Sequence, residues 1–368
     1  MNIKVDRNEF LKALITVSKA TTLRNVGSLE GILLESYDDV LSLYATNKEI
    51  QISTIIDAKV IREGKLLINS RILSDIVRSF DNGEVEIDAD ENNNIKLTCL
   101  NSKFNITAMD YRTFPNKEVY NINDFIKMDN HVIRNMIKET SFACATSDSV
   151  SPILTGILIE NNDEDIKFVA IDGFRMAIRS EQSKERYMNN IKCVVPSSTL
   201  NELNKILTNY DDDVFLNIND KKFVANIGRT QLVSSLLQGQ FIDYGNLLPK
   251  ESKTIVKMNK NELLSACERA AIISDEGRAH LITLHFTDNN LLLTSKSAYG
   301  NVEENININL SGEDLDISFN SRYVIDALKV IEDEKVILEF NSSNSPCLIK
   351  PVSSNKFTYL IMPVRISN

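Results

Sequence analysis

No apolar run in this 368-residue chain approaches the about 18 residues that a membrane-spanning helix needs. The opening stretch, MNIKVDRNEF, is charged and lacks the apolar segment of a secretory signal. Cysteine is sparse. Cys99, Cys144, Cys193, Cys267 and Cys347 are odd in number, far apart and set mostly in apolar surroundings, which excludes a disulfide framework and predicts buried thiols in a reducing, cytoplasmic setting. Histidine is sparser still. His131 falls in the first turn of a predicted helix, and His280 and His285 flank a strand at an odd spacing that turns them to opposite faces. CxxC, GxGxxG, P-loop and GxSxG motifs are missing. The string from Asp88 through Asp90 and Asn92 resembles a calcium loop, but Asn93 stands where the turn needs glycine and Cys99 where the bidentate glutamate belongs. It reads as an acidic hairpin. No metal or cofactor is predicted, and with no grouping of acid, base and nucleophile a non-enzyme is the better reading.

Basic charge is also in deficit: 41 Lys and Arg face 51 Asp and Glu, a net charge of −10, which argues against broad nucleic-acid binding over the whole surface. Distribution matters more than the sum. The acids concentrate in predicted turns (Asp88, Asp90 and Glu91; Asp163, Glu164 and Asp165; Asp211–Asp213; Glu332–Glu334), while the bases sit elsewhere.

What the chain has is repetition. The segments NSRILSDIVRSF-DNGEVEI from Asn69, PSSTLNELNKIL-TNYDDDVFL from Pro196 and NSRYVIDALKVI-EDEKVIL from Asn320 share one plan: a polar cap, a helix-period stretch, an acidic turn and a strand. Across the helical part Asp75, Glu202 and Asp326 align, as do Arg78, Lys205 and Lys329. GILLES at Gly31 and GILIEN at Gly156 correspond to the apolar run Leu281–Leu284, and Phe114-Pro115, Phe241-Ile242 and Met362-Pro363 form a further expected triplet. The period, about 125 residues, is too long for a solenoid unit and right for a domain.

Each third begins with a strand and an N-capped helix. Asp6 precedes Phe10, Leu11, Leu14 and Val17; Asp129 precedes Ile133, Met136 and Ile137; Asn259 begins the stretch with Leu263, Leu264 and Cys267. Val40–Tyr44, Lys167–Ile171 and Asn290–Thr294 read as strands. The fold class is therefore α+β, three repeats with two helices on antiparallel sheet, expected at 1–122, 123–250 and 251–368 with joints near Val119–Asp124 and Pro249–Thr254.

Bases recur on the helices at spacings of four and seven, which share one helical face: Lys12 with Lys19, Arg71 with Arg78, Arg134 with Lys138, Arg322 with Lys329. On any one helix this is an ordinary solvated face. Recurrence in an acidic chain suggests one basic surface that holds phosphates without reading bases, with Lys12, Arg71, Arg78, Arg134 and Lys205 as candidates.

The chain resembles, over its whole length, the bacterial DNA polymerase III β-subunit family of sliding clamps. The resemblance rests on Ile171-Asp172-Gly173-Phe174-Arg175-Met176, on Ser235-Leu236-Leu237 leading to Phe241-Ile242-Asp243-Tyr244, on Tyr359 to Ile366, and on Leu154-Thr155-Gly156 and Ala45-Thr46-Asn47. It implies a head-to-tail homodimer, a six-domain ring with helices lining the hole around duplex DNA and sheets at the rim. It implies DNA contacts at Arg24 and Arg71, whereas the loop Asp148–Ser151 lacks the basic or amide residues often found there. It implies a dimer interface of Phe104 and Ile106 against Ile272 and Ile273, the latter pair expected after their helix. It implies a pocket for partner peptides walled by Leu154, Ile171, Gly173, Phe174, Arg175, Met176, Ile242, Leu247, Leu360, Met362, Pro363 and Val364, with Asn320, Tyr323, Asn344, Pro346 and Arg365 adjoining. Ile242 replaces a frequent proline, Phe174 a common histidine, and Gly245-Asn246 a usual basic pair, so a more apolar, less basic pocket is expected. Implied partners are the polymerase III alpha subunit, the clamp loader, and other polymerases and repair proteins bearing clamp-binding motifs. For the residues alone, a protein-binding scaffold that does not encircle DNA stays open as the alternative.

Overall fold

The computed structural model describes residues 1–22, 27–120, 125–146, 151–162, 165–182, 191–219, 221–274 and 280–365. Among them lie six α-helices: α1 (Arg7–Ser18), α2 (Ser70–Ser79), α3 (Asn130–Ser141), α4 (Ser197–Leu207), α5 (Lys260–Ile273) and α6 (Ser321–Val330). Side-chain caps set several starts: Asp6 accepts from the Asn8 and Glu9 amides, Asn69 from Ile72, Asn259 from Asn261 and Glu262, and Asn320 from Arg322. The α1 stripe Phe10, Leu14 and Val17 is fully buried, each side chain contributing about 1.5–3 kcal/mol of transfer free energy.

The strands pair antiparallel throughout and form sheets of five, eight, nine and four strands among the described residues. The chain divides into two compact units, one built mainly from Met1–Asn130 and Glu202–Leu236, the other mainly from His131–Ser183 and Leu237–Asn368. These units cut across the three sequence repeats because the sheets do. In the first unit, the strand Thr230–Ser235 of the second repeat pairs with Ile50–Asp57 of the first, with Val233 opposite Gln51. In the second, Arg175–Gln182 of the second repeat pairs with Phe357–Ile361 of the third, with Met176 opposite Leu360. The central repeat thus gives one sheet to each neighbour.

Register establishes which residues correspond. Gly31 pairs with Asn69, Gly156 with Pro196 and Leu281 with Asn320, and two residues on Leu33 faces Leu67, Leu158 faces Val194 and Thr283 faces Ser318. A third layer bonds to each of these: the Met109 amide donates to Leu67 O (2.7 Å), Leu237 to Val194 O (2.9 Å) and Val364 to Ser318 O (2.8 Å). One expected triplet is corrected by this. Met362 corresponds to Ser235, not to Phe241, since the Met362 amide bonds Phe174 O as the Ser235 amide bonds Glu49 O. A second correction concerns Asp88, which lies inside the strand Glu84–Ala89 rather than in the turn that follows. That turn is an acidic hairpin: Asp90 accepts from the Asn92 and Asn94 amides and the Asn94 side chain, which hold its carboxyl below the usual range, and Asn93 takes φ +63°. All five cysteines are free.

The paired glycines have a steric cause. A Cβ at Gly31 would meet Leu67 at 2.6 Å, and one at Gly156 would meet Val194 at 2.6 Å, Leu237 at 2.7 Å and Val195 O at 2.7 Å. The third repeat carries Leu281 there and has the smaller Ser318 in place of Leu67 or Val194. Gly156→Ala is expected to cost about 1–3 kcal/mol in urea unfolding, with Gly245→Ala, where the nearest atom is 3.6 Å away, as the silent control. Equal stability of the two variants would show that the close approach is relieved by backbone movement.

Candidate functional site

The second unit carries the expected pocket residues, and a tight turn organises them. Asp172 Oδ1 accepts from the amides of Phe174 (2.9 Å) and Arg175 (3.0 Å), and Gly173 supplies the φ of +94° that this turn requires. The turn throws Phe174 outward, 61% exposed, and folds Arg175 inward. The guanidinium bonds Asp172 through Nε (2.7 Å) and Asp326 of α6 through Nη1 (2.6 Å), and lies 4.5 Å over the Tyr323 ring. Burial alone would lower its pKa; the Tyr359 hydroxyl and the two carboxylates outweigh that and hold it above the ordinary value. Phe174 stacks on Tyr323 with centroids 6.4 Å apart, and Tyr359, its hydroxyl pushed far up by burial, donates to Tyr323 O.

The residues expected to form the wall divide into buried and exposed sets. Leu154, Ile171, Met176 and Leu360 are buried in one apolar cluster with Phe241 and Leu348. Phe174, Ile242, Leu247 and Met362 are instead 40–61% exposed, apolar side chains that water covers only at a cost. The strand-like tail is held on both sides, Met362 to Phe174 O and Val364 to Ser318 O, with Pro363 half-buried and Arg365 exposed. Asn320 is spent on capping α6, Pro346 is half-buried, and Asn344 is exposed with its amide donating to Ser342 Oγ. The signal that the sequence reading missed was Asp326, noted as an aligned acid but not as the partner of Arg175.

The helix bases are accompanied. Arg71 (84% exposed) and Arg78 both reach Asp75, at 3.9 and 3.1 Å. Lys205 bonds Glu202 at 2.7 Å, Lys19 approaches the same carboxylate at 3.9 Å, and Lys329 pairs with Glu268 at 3.0 Å. Lys12 sits 4.5 Å over the Tyr210 ring. Arg134 is half-buried, its Nε without a hydrogen-bond partner, and Lys138 approaches Glu332 at 3.6 Å. In the first two repeats the aligned acid and base bond each other, Asp75 with Arg78 and Glu202 with Lys205, whereas in the third Asp326 binds Arg175 and Lys329 binds Glu268. Arg24, Asp148–Val150, residues 121–124 and the terminal Ser367 and Asn368 lie outside the described residues.

The expected interface residues involve two of the strands that end their sheets. Ser102–Thr107 ends the five-stranded sheet; its Phe104 is 38% exposed and meets Phe80 edge-on at 5.6 Å, with Ile106 half-buried. Gly300–Asn307 ends the four-stranded sheet, where Glu304 receives a two-pronged contact from Arg269 of α5 at 2.6 and 2.7 Å. Ile272 is 80% exposed and Ile273 partly so. They are the last two residues of α5 rather than residues beyond it, because the helical bonding continues until the Ser274 amide reaches Ala270 O. Arg175 gives the expected stability effect here. Arg175→Met leaves Asp172, whose side chain is 12% exposed, without its cation, a loss of about 3–5 kcal/mol in urea unfolding. Adding Asp172→Asn should recover most of that loss, and additive losses would show that the pair is not coupled.

Family descriptions match the chain in order: the N-terminal domain of the DNA polymerase III beta subunit over residues 1–118, its central domain over 127–243 and its C-terminal domain over 245–365. Beta sliding clamps of Staphylococcus epidermidis and Staphylococcus aureus are each 29% identical, over 377 and 378 residues, with 99% of this chain covered and, for the former, 99% of the relative. Among solved structures, a putative DNA polymerase III beta subunit from Eubacterium rectale superposes with a TM-score of 0.94 at 32% identity, covering 100% of both chains. The DNA polymerase sliding clamp from Bacillus subtilis gives 0.95 at 27%, again with 100% of both. With three domain matches in register and a full-length relative 32% identical, the chain belongs to the DNA polymerase III beta-subunit family, the sliding clamps of DNA replication, whose members are non-catalytic accessory subunits.

Proposed function

We propose that two copies of this chain join head to tail into a six-domain ring that encircles duplex DNA without reading its sequence and tethers the replicative polymerase to it. The observation that carries the ring is that Ser102–Thr107, with Phe104 exposed, and Gly300–Asn307, on the four-stranded sheet beside exposed Ile272, both end their sheets. Unpaired backbone on Ser102–Thr107 and on Gly300–Asn307 would be satisfied by pairing between copies, since an exposed edge is a template for a strand of another chain. Charge supports the match: Lys103 is exposed on the first edge and Glu303 lies on the second. Phe104 and Ile106 on one side, with Ile272 and Ile273 on the other, supply apolar burial. The three domains of each copy are proposed at 1–122, 123–250 and 251–368.

DNA retention in this reading comes from closure rather than affinity. Arg24, Arg71, Lys12, Arg78, Arg134 and Lys205 are the proposed phosphate contacts, those of Arg71, Arg78 and Lys205 weakened by Asp75 and Glu202 so that the ring moves freely along the duplex. The partner site is the apolar rim of Phe174, Ile242, Leu247 and Met362 over its buried floor. Methionine and aromatic side chains there suit a groove that accepts several peptides. The proposed occupants are motifs of the polymerase III alpha subunit, the clamp loader, and other polymerases and repair proteins, met in the cytoplasm at the nucleoid.

Two outcomes test this. Ile272→Ala with Ile273→Ala should give folded monomers in sedimentation, each truncation removing about 2–5 kcal/mol of packing if buried in the interface; an intact dimer would place the contact elsewhere. Arg24→Ala with Arg71→Ala should flatten the salt dependence of direct DNA binding by about 0.9 per lost contact, while rings loaded on nicked circles stay bound until the DNA is linearised. Release from intact circles by the unaltered protein would favour a scaffold that does not encircle DNA.

A further inference from the structure

The register that equates the repeats also equates two grooves. Gln51 opposite Val233 at the first joint corresponds to Met176 opposite Leu360 at the second, and Glu49 O with the Ser235 amide corresponds to Phe174 O with the Met362 amide. Phe114 packs against Tyr44 and Leu33 as Phe241 packs among Val169 and Leu158. The first joint therefore contains, within one unit, the counterpart of the apolar rim. Its side chains differ in kind: Thr46 stands for Ile171, Tyr44 for Val169, Glu49 for Phe174, Gln51 for Met176 and Ser235 for Met362.

Something already lies across this polar groove. The connector Asn116–Tyr120 is held by side chains from four strands. Gln51 binds Glu118 at both backbone groups, donating from Nε2 to its carbonyl (2.7 Å) and accepting from its amide at Oε1 (3.3 Å). A side-chain amide used in this way stands in for a neighbouring strand. Tyr44 donates to Asn116 O (3.3 Å), Gln231 donates to Tyr120 O (3.2 Å), and Lys222 pairs with the Glu118 carboxylate at 3.3 Å. What remains open are two small clefts, about 190 and 140 Å³, that share Tyr44, Pro115 and Asn116. At the second joint the position of Gln51 is held by Met176, which lacks the amide needed for this strap.

We propose that the connector Asn116–Tyr120 is the bound ligand of the first joint's groove, recognised as an extended peptide through Gln51, Gln231 and Lys222, so that the second joint, and not the first, is left free for a peptide from another protein. The last clause rests on the partner site proposed above; the recognition of the connector does not. Tethering makes the contact intramolecular, at an effective concentration in the millimolar range, so dilute peptides in solution do not displace it.

Hydrogen exchange and a labelled peptide test this on the full chain. Gln51→Met, close in size and matching the second joint, should speed exchange at the Glu118 amide about fivefold, as expected for one lost hydrogen bond, with the amides of Val40–Tyr44 unchanged as the control for folding. Unchanged exchange at Glu118 overturns the proposal. Glu118→Gly removes the Lys222 pair and loosens the connector, so a fluorescent peptide of sequence PNKEVY, residues 115–120, should bind that variant, should not bind the unaltered chain, and should lose binding when Gln51→Met is added. Binding to all three, or to none, also overturns it. The partner-site reading fails by a separate result: a Leu- and Phe-bearing peptide that binds the unaltered chain and its Met362→Ala variant equally.

Discussion

Main-chain hydrogen bonding across the repeat joints is the constraint on which the rest of this structure depends. A strand left unpaired exposes a row of amide and carbonyl groups, and each joint here removes two such rows by running one repeat's sheet into the next. The central repeat consequently belongs to both compact units, and chain order alone does not mark where one folded body ends. The same ladders dictate that each joint has a groove of one backbone shape. Side chains alone then decide what a groove does, apolar at one joint and hydrogen-bonding at the other.

Arg175 shows how such a joint is locked from the side. It is held by a carboxylate of its own turn and by one from α6, and the aromatic ring beneath it is itself stacked with exposed Phe174. The cation, the turn and the rim are therefore mechanically one object. Elsewhere charge is arranged for the opposite end. On α2 and α4 each base has an acid one turn away, so the strong field suggested by the spacing of the bases is muted to a dipolar surface. In the proposed ring that surface suits a protein that must hold DNA without gripping it.

Much of the fold was legible in the sequence because the signals were local. Helix starts at Asp6, Asn69, Asn259 and Asn320 are caps that bond their own next residues, and strands such as Val40–Thr46 follow composition over a few positions. That Leu154, Met176 and Leu360 belong together was legible only through family resemblance, since no periodicity reveals that they share one buried cluster. The misses are non-local. Met362-Pro363 looked like Phe241-Ile242 by chemical type, but position in a repeat is set by which carbonyl an amide reaches, and Met362 reaches Phe174. Ile272 and Ile273 were placed past the helix although helical bonding runs through them, and Asp75 was aligned with its counterparts without being joined to Arg78.

The glycines at Gly31 and Gly156, set against Leu281 with Ser318, carry a consequence for anyone recombining these repeats. Volume has been exchanged between two strands: where one strand is bare its neighbour is bulky, and where it bears leucine the neighbour shrinks to serine. The three domains are alike in outline yet not interchangeable strand by strand. A chimera that moves Leu281–Thr287 into the first repeat would have to bring Leu315–Asn320 with it, and an averaged sequence built from all three repeats would place leucine beside leucine. Interchangeability in this chain therefore belongs to strand pairs, and the hairpin or sheet couple, rather than the single strand, is the smallest unit that recombination could exchange.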